Sequence, residues 1–155
     1  MESKQKSRKV KNLVAIIISV SLLPLGEDAH FVAAEEQTVG VADGVGRWAK
    51  HGIDSGDYAR QLMKNSATAV HNIKELEGSS VVDPKRILHE AFSNTTGLQG
   101  ASTACIVCHN DGVLLAANVG DSGFMVFRDR KLFLQIANSA APLQLSLPLG
   151  EPHNL

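Results

Sequence analysis

Two short strand-like runs, His30 to Ala34 and Thr38 to Ala42, are separated only by the polar Glu35-Glu36-Gln37. That pattern folds as an antiparallel hairpin. The hairpin constrains its neighbours because acids stand at its open end. With Glu35-Glu36 as the loop, Ala34 faces Gln37 and Ala33 faces Thr38. Continued outward, the ladder sets Asp28 opposite Asp43. A three-residue loop would move the partner by one, to Gly44. Directly opposed residues hold their Cβ atoms about 4.5–5.5 Å apart. Either register therefore brings Asp28 to the Asp43-Gly44 turn. Carboxylates crowded at a sheet edge repel one another unless a cation holds them. Hard oxygen ligands of this kind favour Mg²⁺ or Mn²⁺ over softer metals. Acids also stand beside strand-like runs in Gly26-Glu27-Asp28-Ala29-His30 and Gly120-Asp121-Ser122-Gly123.

The chain has 155 residues, enough for one domain. Its formal net charge of -1 gives no electrostatic case for a nucleic-acid partner. The only cysteines, Cys105 and Cys108, are too close in sequence to staple a fold. Residues 1–25 form a basic and then apolar N-terminal segment, read either as a targeting segment or anchor, or as a first strand. Membrane association through residues 10–25 fits the first reading. The run from Leu13 to Leu25 is short for a full membrane span.

Two helices are expected next. Asp54 or Ser55 caps the first, and Tyr58, Leu62, Met63, Ala67, Val70 and Ile73 follow at helical spacing. Asp83-Pro84 opens the second, with Ile87, Leu88, Ala91 and Phe92 as its apolar face and Gly97 as its stop. Ser102 to His109 and Val113 to Val119 flank Asn110-Asp111-Gly112, a strong hairpin signal. Gly123 to Arg128 and Lys131 to Ile136 form another pair. The tail from Ala137 to Leu155 contains three prolines and offers no clear element, and residues 147–155 read as irregular.

Cys105-Ile106-Val107-Cys108-His109 matches the C-x-x-C-H pattern of haem attachment. Strand alternation, however, throws the two cysteines to opposite faces. Asp111-Gly112 needs no role beyond its turn.

Gly26-Glu27-Asp28-Ala29-His30-Phe31, Val41-Ala42-Asp43-Gly44-Val45-Gly46 followed by Trp48, Gly100-Ala101-Ser102-Thr103-Ala104, Gly120-Asp121-Ser122 and Pro142-Leu143-Gln144-Leu145 occur in that order. In that order the chain resembles the metal-dependent protein phosphatases of type 2C, and more narrowly their short organellar branch. The resemblance runs from about Gly26 to about Ser146, so residues 26–146 are read as a partial phosphatase domain. It implies an α+β fold, the N-terminal portion of an α-β-β-α sandwich with two antiparallel sheets flanked by helices. It implies hydrolysis of phosphoserine and phosphothreonine esters by metal-activated water, with two Mg²⁺ or Mn²⁺ ions in a complete site.

On matching positions, the resemblance gives Asp43 a bridging role between the ions. The Gly44 carbonyl would coordinate one ion, and Glu27 and Asp28 would hold metal directly or through water. Asp121 would orient water or support a further ion. His30 falls in the range of a leaving-group acid, but reads first as an ordinary strand residue. Arg47 offers a guanidinium to a substrate phosphate.

The family's domain continues past the end of this chain and contributes further aspartates, whereas residues after Asp129 include only Glu151 as an acid. The chain is therefore expected to be a truncated copy with about half a site. The rival expectation is a non-catalytic fragment that binds a partner or competes with the full-length enzyme. A monomer acting on a phosphoprotein is expected. The expected location is intracellular, with chloroplast or mitochondrion suggested by the branch.

Overall fold

The computed structural model describes residues 14–18, 26–75, 78, 81–128, 130–136 and 139–148. In chain order its strands are β1 (Val14–Ile18), β2 (Asp28–Ala33), β3 (Thr38–Asp43), β4 (Ala104–Asn110), β5 (Val113–Gly120), β6 (Phe124–Arg128), β7 (Lys131–Ile136) and β8 (Ser139–Pro148). A short 3₁₀ helix (Gly46–His51), α1 (Ser55–Glu75) and α2 (Pro84–Asn94) lie between β3 and β4. One antiparallel sheet runs β2-β3-β4-β5-β8 and the other β1-β6-β7.

Period-two burial explains the layering. On β4, Ala104, Ile106 and Cys108 join the core under α1 and α2. Cys105 and Val107 join a second core, shared with Phe124 and Val126 of the other sheet. A strand buried on both faces reads as a continuous apolar run, as Ala104 to Cys108 does. The layers are thus helices, sheet, sheet, in keeping with the expected sandwich. Its second helical layer is not among the described residues.

Both helix starts follow from capping. The Asp54 carboxylate accepts the Gly56 N–H at 2.8 Å, and that of Asp83 accepts the Lys85 N–H at 3.0 Å with Pro84 in the first turn. Each offsets a donor that the helix leaves unpaired. The β4–β5 turn has φ of 44° at Asp111 and 80° at Gly112, the positive pair that a two-residue hairpin turn demands.

Three expectations change. Within the apolar N-terminal run, read either as a first strand or as a targeting segment, Val14–Ile18 forms a strand paired with β6. The rest of residues 1–25 lies outside the described residues. The tail holds a strand where none was expected: β8 pairs with β5 from Ser139 to Pro148. Its prolines are tolerated because β8 lies at the edge of the sheet among the described residues, and the register shifts beside Pro142. Residues 149–155 lie outside the described residues. The second change is Phe92, which is 64% exposed rather than buried. The buried line of α2 runs through Ile87 and Ala91, and Phe92 is turned about 100° past it. The last is the helix stop, which falls at Asn94 with Thr95 as the cap, ahead of Gly97.

Candidate active site

The β2–β3 register sets Asp28 directly opposite Asp43 and Ala33 opposite Thr38. The strand ladder stops at Ala33 and Thr38, and the Gln37 N–H donates to the Ala34 carbonyl at 3.2 Å, closing the turn over Glu35-Glu36. Gln37 has φ of 48° and cannot continue the strand. The alignment of the acids is unaffected. Ala29, Phe31 and Ala42 face the helices. Asp28, His30, Val41 and Asp43 therefore face the second sheet, where Val41 is part of the inter-sheet core.

The backbone holds this end tightly. The Asp43 N–H donates to Thr103 Oγ1 at 3.0 Å, and the Thr103 N–H donates to the Asp43 carbonyl at 2.8 Å. The Gly44 N–H donates to the Glu27 carbonyl at 2.9 Å, and the Val45 N–H to the Ala101 carbonyl at 2.8 Å. Thr103 Oγ1 lies 2.5 Å from Ser122 Oγ, tying the Asp121-Ser122 turn to the same point. The Glu27 carboxylate lies against Gly46, where an added Cβ would meet Oε2 at 2.7 Å. Glu27, Asp28, Asp43 and Asp121 thus come from three chain segments and reach one rim.

Their charges act on Asp43. Its carboxyl is held above the usual 3.8, first by burial, then by the Asp28 charge and a hydrogen bond with Asp28, then by Asp121 and Glu27. An Asp burdened by three like charges is stabilised by a proton or by a cation. The donors are all oxygen, which suits a hard divalent ion, so these residues fit the expected metal. Among the described residues no three acids, histidines or cysteines are gathered closely enough to hold one ion. The Asp28–Asp43 pair is the part of the site that the structure brings together.

His30 and Arg47 are both exposed, Arg47 on the 3₁₀ helix just beyond Gly44. Asp111 occupies the turn at the Asn110–Val113 end of the β4–β5 hairpin, whereas the site lies at its Ala104–Val119 end. Cys105 and Cys108 are buried in different cores, and burial pushes both thiols up to about 12. They neither meet nor ionise as a redox or haem-linking pair would.

Thr103 has a role that sequence reasoning did not assign. It stood only as one letter of a motif, and nothing in its spacing shows a hydroxyl reaching back to residue 43. Thr103→Val keeps the shape and deletes the acceptor. The expected cost is about 0.5–1.5 kcal/mol in urea unfolding, with Thr103→Ser restoring most of it.

No family model matches the chain. Residues of this chain are 55% identical over 104 positions to probable protein phosphatase 2C 55 of Arabidopsis thaliana, covering 67% of this chain and 21% of that protein. They are 40% identical over 137 positions to the protein phosphatase PTC7 homolog fig of Drosophila grimshawi, covering 79% and 43%. The chain thus spans less than half the length of these curated relatives. Its fold is similar to the photosystem II phosphatase PBCP, with a TM-score of 0.69 and 25% identity, over 90% of this chain and 62% of that one.

Proposed function

This chain belongs to the type 2C protein phosphatases, and we propose that its site serves the hydrolysis of phosphoserine and phosphothreonine esters in a phosphoprotein, with Mg²⁺ or Mn²⁺ as the ion. The observation that carries this reading is the opposition of Asp28 and Asp43, with the Asp43 carboxyl held up by three acidic neighbours. In this reading the carboxylates of Glu27, Asp28 and Asp43 and the carbonyl of Gly44 hold the metal. Bound divalent ions offset the charge of a phosphate dianion and acidify bound water.

The chain's own groups do the rest. Asp43, whose carboxyl is held above the usual range beside Asp28, Asp121 and Glu27, would have that repulsion offset by a bound cation. Asp121, joined through Ser122 and Thr103 to the end of β3, accepts a hydrogen bond from the attacking water and so aims it. Arg47 meets the substrate phosphate, for which a planar guanidinium is well shaped.

The test is p-nitrophenyl phosphate turnover by the full chain with Mn²⁺, beside Asp43→Asn. Metal-dependent turnover that falls by at least about a hundredfold in the variant supports the reading. A second reading, a phosphatase-like protein that binds a partner without turnover, is favoured by one observation: no three described acids meet at a point. Absent turnover with Mn²⁺ uptake retained would select it.

A further inference from the structure

A hollow of about 350 Å³ lies between β2 and α1, lined by Asp28, His30, Arg60, Met63, Lys64 and Ala67 among others. Its size is near the lower end for a ligand cleft, about 300–1,000 Å³. Asp28 is among its lining residues and is the first residue of β2, so a segment laid along β2 reaches the end of the strand that carries the candidate site. Its wall is β2, which pairs with β3 on one side and with no described strand on the other. Every second residue of such a strand turns its N–H and C=O outward, a template for another strand. Val32, on that strand, is 69% exposed.

The opposite wall is charged. Arg60 and Lys64 stand one turn apart on α1 and so share a face. Arg60 Nη2 is held 2.7 Å from both Asp54 and Asp57, which fixes the guanidinium without using its other nitrogens in either pair. Lys64 is exposed and has no carboxylate partner among the described residues.

We propose that this cleft docks the flank of the phosphoprotein substrate: an extended acidic segment adds as a strand to the free edge of β2, its acidic side chains meet Lys64 and Arg60, and its phosphoresidue reaches the Asp28 end. Charge at Lys64, a β2 edge with no strand partner among the described residues, and the place of Asp28 at the start of β2 point to this occupant. Main-chain hydrogen bonds supply affinity, and Lys64 supplies most of the selectivity. The proposal rests on the phosphatase reading and deepens it by naming the substrate's flank.

The experiment uses the full chain with Mn²⁺ and fluorescein-labelled phosphoserine peptides, one with an Asp/Glu flank and one with a Lys flank, read by polarisation. The acidic peptide is expected to bind about threefold more tightly, the worth of one exposed ion pair to Lys64, since Asp54 and Asp57 already offset the charge of Arg60. Lys64→Glu should remove most of that preference and improve binding of the basic peptide. Methylating alternate backbone nitrogens of the acidic flank, in either phase, should weaken binding in one phase and spare it in the other. Equal binding of the two peptides, equal effects of Lys64→Glu on both, indifference to methylation in both phases, or no binding of either peptide would each overturn the proposal. Turnover of p-nitrophenyl phosphate, which has no flank, tests the phosphatase reading separately.

Discussion

Gly44→Ala is expected to destabilise the protein by about 3 kcal/mol or to prevent folding. A Cβ at Gly44 would stand 2.5 Å from the Ser55 carbonyl oxygen, 2.7 Å from its carbon and 2.8 Å from the Glu27 carbonyl oxygen. All three are backbone atoms, at the start of α1 and beside the acidic strand, and none can swing aside as a side chain would. Overpacking costs about 1–3 kcal/mol where neighbours give way, so a rigid wall puts this site at the upper end. Whole domains hold only about 5–15 kcal/mol. Urea unfolding followed by circular dichroism measures the loss. Gly112→Ala is the comparison: there nothing lies within 4 Å, and only the φ of 80° is unfavourable, costing about 1–2 kcal/mol. An equal loss at the two sites would refute the steric account.

Asp43→Asn carries the second large effect, and its sign depends on metal. A carboxyl whose folded pKa lies above its unfolded value binds more protons in the folded state. Its contribution to stability is therefore present at acid pH and lost as pH rises through that raised pKa. Without divalent ions, wild type should lose stability as pH climbs from the ordinary carboxylate range towards neutrality. Asn, which never ionises, removes that loss, so the variant should melt a few degrees higher than wild type at neutral pH.

With Mn²⁺ at about a hundred times its Kd, wild type gains about 2.7 kcal/mol. For a chain of this size that is roughly 5–10 °C. The variant should gain little or nothing. Melting curves at acid and neutral pH, with and without Mn²⁺, give both signs in one series. A variant that melts lower than wild type at neutral pH without metal would contradict the repulsion, and one that still gains the full Mn²⁺ shift would remove Asp43 from the metal site.

The alignment behind both predictions was readable from the chain alone. Strand alternation and the position of Glu35-Glu36-Gln37 fix the hairpin register, and the register alone sets Asp28 against Asp43. Asp111-Gly112 was equally plain, because few dipeptides accept two positive φ values. The 3₁₀ helix at Gly46–His51 was not readable. Six residues carry no measurable period, and its end depends on Gly52 in the left-handed region. β8 was hidden because proline reads as a breaker until the strand is known to lie at an edge. The hold of Thr103 on Asp43 spans 60 positions of chain, beyond the reach of any local pattern.

The double-sided burial of β4 couples the two interiors of the molecule. Ile106 belongs to one and Val107 to the other, so a shift that loosens either strand face disturbs both. Neither compartment has an independent melting point. Fluctuations that open the acidic rim must start from the outer hairpin or the helical turn after Gly44, because the central plank yields only when the whole body comes apart.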